Sequence, residues 1–276
     1  MLTDTQTGDG NWTGIRCARA STSNAGVTVI LDTTADSPRS QYEYERDTRT
    51  PPRLKSMRIV IAGGHGKIAL SLERLLAARG DHPAGLIRTP DQEADLRAAG
   101  AEAVLCDLES ASAEQVARHL AGADAVVFAA GAGGSGGIAR TRAVDLAGAV
   151  RFADAAELAG VRRLVLISSM GAGRGPRPGT DPGFEAYLRA KGEADANVTA
   201  RTALDWTILR PGRLTDEPGT GQVALAASTG RGSVPREDVA AMIAHLLHAP
   251  KTSGLILELI TGDTPIKQAV DAVATR

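Results

Sequence analysis

Aromatic residues are scarce in this chain: three Phe, three Tyr and two Trp among 276 residues. With so few rings, no stacking pocket for a flavin, a sugar or a quinone can be named. Only two cysteines occur, Cys17 and Cys106, far apart and without CxxC or Cys/His spacing. That argues against a disulfide framework and against a zinc site, and Cys106 reads as a buried small hydrophobe. The five histidines form no ligand cluster; His245 and His248 share a helical face and suit dipole partners at a helix end. Charge of one sign is missing too, with 31 Lys and Arg against 32 Asp and Glu. No basic surplus points to nucleic acid, which leaves a small molecule as the expected partner. No apolar run approaches the roughly 20 residues that cross a bilayer, and "MLTDTQTGDGNWTG" lacks the order of a secretory signal. The expectation is a cytoplasmic protein without membrane contact, its oligomeric state left open.

What is present falls into two parts. Residues 1–56 are rich in Thr, Ser, Asp and Arg, end in "DTRTPPRLKS" and hold one strand-sized apolar run, "VTVIL". A disordered extension is expected there, and Met57, directly before the first convincing strand, suggests that it arises from an upstream start codon. From Met57 onward, 57–276 reads as a single domain in which apolar strings alternate with amphipathic stretches. "RIVIAG", "AGLIR", "AEAVLCD", "DAVVFAAG", "RRLVLISS", "DWTILRPG" and "LILELITG" are the strands. Between them, helices end at Gly80, Gly100, Gly122 and Gly160. Strands apolar on both faces, alternating with helices, predict an α/β fold: a Rossmann-type, doubly wound parallel sheet covered on two sides.

The first strand runs into "GGHGKIA". Two glycine registers fit, Gly64, Gly66 and Ala69 or Gly63, Gly66 and Ala69. Either allows a tight turn, a close backbone approach by a pyrophosphate at Gly66, and close helix packing at Ala69. The N–H groups opening the helix then face the anion, helped by Lys67; His65, a turn residue rather than a catalyst, is expected among the cofactor contacts with Gly63, Gly64, Gly66 and Lys67. The end of the second strand distinguishes the dinucleotides, because an acidic residue there accepts from the ribose 2′-OH of NAD and a cation meets the 2′-phosphate of NADP. That position is Arg88, whose paired donors match a phosphate, so NADP is expected and NAD stays possible. Asp107, closing the third strand, can accept from the adenine amino group or simply cap a helix.

"GGHGKIA", "CDL", "FAAG", "LISSMG", "YLRAK" and "ILRPG", in this order, resemble the atypical short-chain dehydrogenase/reductase family, in its single-domain NAD(P)H-binding branch near the NmrA-like proteins. The resemblance runs from Met57 to the C-terminus. It implies cofactor contacts at Ile68, Leu108, Ala129, Ala130, Gly131 and Ser168, and at Pro211 and Gly212 after the sixth strand. It also implies chemistry at Tyr187, Lys191 and Ser169 or Ser168. Four residues apart on a helix, Tyr187 and Lys191 share a face, and the serines end a strand. Tyr187 would be the general acid toward a carbonyl oxygen, with a nearby ammonium favouring its phenolate. Lys191 would also hold the nicotinamide ribose, and the serine would hold the oxygen on which charge develops.

The expected activity is NADP(H)-dependent hydride transfer to a small carbonyl or related acceptor. The alternatives are a cofactor sensor without turnover and a nucleotide-sugar epimerase, the latter disfavoured by the short region after Pro211. Two features depart from the family: no asparagine appears in "FAAGAGGSGG", and Tyr187 comes eighteen residues after Ser169, across a Pro/Gly-rich stretch. Arg210 and Arg213 are candidates for cofactor, anionic substrate or surface ion pairs, and the segment of about 212–235 is expected to cover the substrate.

Overall fold

The structure, a computed structural model, describes residues 56–133, 136–175 and 179–275. The extension through residue 55, with Cys17 and "VTVIL", lies outside the described residues.

The chain alternates from its first strand. β1 (Arg58–Ala62) leads to α1 (Lys67–Arg79), β2 (His82–Ile87), α2 (Glu93–Ala98), β3 (Glu102–Leu105) and α3 (Ala113–Leu120). Then come β4 (Ala125–Phe128), α4 (Gly137–Thr141), α5 (Ala149–Leu158), β5 (Arg163–Ile167), α6 (Pro182–Thr199) and β6 (Asp205–Pro211). The last part holds β7 (Arg213–Thr215), β8 (Gln222–Ala226), β9 (Ser233–Pro235), α7 (Arg236–Leu247), β10 (Leu255–Thr261), β11 (Thr264–Pro265) and α8 (Ile266–Ala274). Among the described residues, nine strands form one sheet in the order β11-β8-β10-β6-β5-β4-β1-β2-β3. All pairs from β10 to β3 are parallel; β8 runs antiparallel to both β10 and β11. This is the expected Rossmann-like architecture.

Two-sided burial explains why the strands are almost continuously apolar. In β1, Ile59 and Ile61 point into the core shared with α1, α7 and α8, whereas Val60 and Ala62 point into the core under α3, α5 and α6. Each fully buried aliphatic side chain of this kind stabilises the fold by about 1.5–3 kcal/mol. Gly80, at φ 86, ends α1 by donating back to Ala77, a conformation that costs a residue with a Cβ. Chain order reverses direction between β1 and β4, and the crevice beyond their carboxyl ends is where such sheets bind ligands.

Three details differ from the sequence expectation. The helix expected around Val144–Ala159 is α5 only from Ala149; Arg142–Gly148 before it forms a π-helical segment, which turns Asp145 inward. The expected covering segment holds three strands, β7, β8 and β9, of which β8 joins the main sheet between β10 and β11. A final helix, α8, buries Ile266, Ala269 and Val270 after Pro265.

Candidate functional site

The glycine turn joins β1 to α1, and its three glycines answer to different demands. Gly63 sits at φ 77, and a Cβ there would lie 2.7 Å from the Ala130 Cα. Gly64 has an ordinary φ, but a Cβ would lie 2.6 Å from the Gly85 Cα, so it is needed to seat the turn against β2. Gly66 caps α1 and donates to the Gly63 carbonyl at 2.9 Å; a Cβ there meets only that carbonyl, at 3.1 Å. A side chain at Gly66 would therefore fill the cradle and leave the fold nearly intact. Ala69 is buried against the sheet. The turn thus uses Gly63, Gly66 and Ala69, and Gly64 serves packing. Lys67 is paired with Asp216, its Nζ 2.8 Å away, and His65 pairs with Asp95 at 2.7 Å.

At the ends of β2 and β3, the Arg88 guanidinium lies 3.2 Å from Glu109, which also meets Arg140 at 3.4 Å. Asp107 accepts from the Glu109 N–H at 3.0 Å and from the Ser110 hydroxyl at 3.3 Å, a local turn cap. The Leu108 carbonyl accepts from Arg151. Arg88, Asp107 and Leu108 line neither of the two cavities that meet at Tyr187; they follow the carboxyl ends of β2 and β3.

Two cavities meet at Tyr187. One, of about 740 Å³, is lined by Gly66, Lys67, Ile68, Ala129, Ala130 and Gly131 and reaches Lys191. The other, of about 1100 Å³, is lined by Ser169, Met170, Pro211 and Gly212 among others. Ser168, Phe184, Tyr187, Leu214 and Arg236 belong to both walls. Tyr187 stacks on Phe184, ring centroids 6.0 Å apart at 26°. Pro211 and Gly212, expected at the cofactor, line the larger cavity only.

The serines divide. Ser168 is buried and donates to Asp195 at 2.8 Å, and Asp195 is in turn paired with Arg210 at 2.8 Å. Burial pushes the Asp195 carboxyl up, while the Ser168 hydrogen bond and Arg210 act against that shift. Ser168 and Arg210 are thus held inside this network, whereas the Ser169 hydroxyl is outside it and Ser169 lines the larger cavity but not the smaller.

Lys191 is only 4% exposed and donates to the Ile167 carbonyl at 3.1 Å. Its Nζ is 5.9 Å from the centroids of both the Phe128 and Tyr187 rings. Its counter-ion is Asp145, 1% exposed and 3.1 Å away, whose other oxygen accepts from the Ala132 N–H at 3.1 Å. An ammonium has three donors, so one remains for a ligand. Asp145 is the residue that sequence reasoning missed. Its signal was a single carboxylate inside the apolar run "AVDLAGAV", where an acid is costly unless paired. Glu73 in α1, within "LSLERLLA", shares that pattern.

The expected pairing of the histidines with a helix dipole takes another form. Burial and the nearby Arg79 push the His245 imidazole down, so it accepts from Arg79 as a neutral ring, and His248 faces Asp81 at 3.3 Å.

A family model described as NAD(P)H-binding matches residues 63–250, from the first glycine of the turn to beyond α7. The chain belongs to this NAD(P)H-binding family. The protein named uncharacterized sugar epimerase YhfK of Bacillus subtilis is 39% identical over 215 residues, covering 78% of this chain and 99% of its own. A Bacillus halodurans structure named for NAD-dependent epimerase/dehydratase activity is 36% identical at TM-score 0.72, covering 79% of this chain and all of that one. The oxidoreductase ylbE of Lactococcus lactis is 30% identical at TM-score 0.70, covering 80% and 98%. These are proteins of the atypical short-chain dehydrogenase/reductase kind.

A nicotinamide dinucleotide fits the residues present. Gly66 leaves the cradle free at the start of α1, where the opening N–H groups lack helical partners, and the smaller cavity extends from that cradle to Lys191 and Tyr187.

Proposed function

We propose that this NAD(P)H-binding protein is an NADP(H)-dependent reductase of a small carbonyl or related acceptor. One observation carries the reading: Tyr187 stands on the wall common to the dinucleotide cavity and the larger cavity, one helical turn from a buried, counter-charged lysine. In this reading Tyr187 gives its proton to the acceptor oxygen as the hydride arrives at carbon, and Ser169 steadies that oxygen with a hydrogen bond. Lys191, held by Asp145 and the Ile167 carbonyl, offers its remaining N–H to the ribose and keeps positive charge near the tyrosine. Ala129, Ala130 and Gly131 let the cofactor lie close to the sheet. A bound nicotinamide supplies the hydride. The segment of about 212–235 covers the acceptor, with Asp238 tying its loop through the Thr220 N–H at 3.0 Å and the Gly221 N–H at 2.8 Å. Arg88 favours NADP, since a guanidinium meets a 2′-phosphate with two donors.

The test is turnover of a carbonyl panel with NADPH by the parent chain and by Tyr187→Phe. A fall of roughly 100-fold or more in kcat is expected from loss of the general acid. Unchanged turnover, or none by the parent, removes the reductase assignment; NADPH binding that persists without turnover favours the cofactor-sensing alternative. The name of the B. subtilis relative, matched over nearly its whole length, favours a second reading, nucleotide-sugar epimerisation. It requires stereochemical exchange in a nucleotide sugar without net NADPH consumption.

A further inference from the structure

The larger cavity carries charge that the proposed chemistry does not use. On its α6 wall, Glu185, Arg189 and Glu193 succeed one another at four-residue spacing, so opposite charges are neighbours along that face. Arg174 is taken by the buried Glu258 at 2.9 Å, and Arg236 by Asp216 at 2.7 Å. Arg213 and Arg231, which also line this cavity, are different. Arg213 opens β7 and donates its N–H at 2.9 Å to the carbonyl of Gly232, the residue after Arg231, so the two backbone segments adjoin. Both residues are exposed, and neither has an acidic partner among the described residues. Two cations on adjoining segments of one cavity, without a counter-charge, set up a positive potential that favours an anion there.

Apolar side chains line another part of this cavity, beside the hydroxyls of Ser169, Thr180 and Ser228. Met170, Leu188 and Leu214 contribute, and Phe184 leaves 50% of its surface exposed at the junction with Tyr187. An exposed ring beside a reacting group is a ready platform for an apolar or aromatic body.

We propose that this cavity binds an organic anion: a carboxylate or phosphate held by Arg213 and Arg231, on an apolar body lying against Phe184 and Met170. The proposal names the substrate class of the reductase reading and takes the place of the reactive carbonyl, at Tyr187, from that reading. Guanidinium forks match either oxyanion in a bidentate manner, so the shared chemistry is the anion, and the two kinds are separated by experiment.

The experiment compares benzaldehyde, 4-carboxybenzaldehyde and 4-formylphenyl phosphate on the full chain. It measures kcat/KM at saturating NADPH, and binding of the same compounds by calorimetric titration. The parent is expected to prefer the anionic aldehydes by roughly tenfold or more, mainly through KM, with the preference shrinking as salt is raised. In Arg213→Gln/Arg231→Gln, and more weakly in each single Arg→Gln variant, the anionic-to-neutral ratio falls toward one. Whichever anion shows the larger ratio identifies the oxyanion. An equal preference for the neutral aldehyde in the parent, or a ratio that survives the double substitution, overturns the proposal. If no aldehyde is turned over, the reductase reading fails by itself, and the binding ratio, read without turnover, still decides the anion site.

Discussion

The buried pair of Asp145 and Lys191 offers the sharpest test of how this site is held. At 3.1 Å, with both side chains almost fully buried, their gross attraction at an effective dielectric of 20 is about 5 kcal/mol. Desolvation of two charges offsets much of that, so replacing the pair outright costs far less than breaking it. Asp145→Asn keeps the size of the side chain and an acceptor for the Ala132 N–H, but leaves a buried ammonium with only the Ile167 carbonyl. Lys191→Met leaves the opposite charge alone. Each single substitution is therefore expected to cost about 3–5 kcal/mol in urea unfolding. The double variant is expected to cost at least about 2 kcal/mol less than the sum, because it leaves no unpaired charge. Turnover adds a second readout. Asp145→Asn is expected to lower kcat more than it raises KM, since it frees the ammonium that Tyr187 and the ribose need in place. Additive single effects, within about 0.5 kcal/mol, would refute the reasoning and make Asp145 a helix residue that happens to lie near a lysine.

Three further outcomes follow from the same geometry. Glu73 is fully buried without a hydrogen-bond partner, and burial pushes its carboxyl up to about 8 against a weaker opposing effect of Arg74. The folded state thus holds a proton that the unfolded chain releases near its ordinary value; the stability this confers is complete below about pH 4.5 and drains away as pH rises to about 8. Glu73→Gln removes that slope, and is expected to stabilise by about 3–5 kcal/mol at pH 8.5 and negligibly at pH 4.5, by urea midpoints at the two pH values. Gly66→Ala is expected to weaken NADPH binding at least tenfold with little change in melting temperature, whereas Gly64→Ala, which drives a methyl into the Gly85 backbone, unfolds the chain at lower temperature; calorimetry with and without NADPH separates them. Arg88→Glu is expected to reverse the NADPH-to-NADH affinity ratio by roughly 100-fold, and an unchanged ratio in a fluorescence titration would show that Arg88 serves only Glu109.

The glycine turn and the shared helical face of Tyr187 and Lys191 were visible in the sequence because each depends on short-range spacing. A turn needs its glycines within four residues, and a helix brings i and i+4 to one face. The strands were visible for the same reason, since burial on both faces leaves a local apolar string. The division between Ser168 and Ser169 was not visible. It depends on Asp195 of α6, which accepts from Ser168 and is itself paired with Arg210 of β6. Nor was the service of Lys67 to Asp216, since those residues are far apart in the chain.

The sequence by itself determined the alternation of strand and helix, the doubly wound sheet and the nucleotide turn, because local periodicity and glycine chemistry are written in neighbouring residues. Only the tertiary structure decided which carboxylate neutralises Lys191, which serine is tied to Asp195, which wall Pro211 and Gly212 line, and which cavity arginines lack an acidic partner among the described residues. Those outcomes turn on distances between segments remote in the chain. Among the charged partners, the buried ones are fixed by the cost of leaving a charge unpaired in the core, a quantity no local pattern carries.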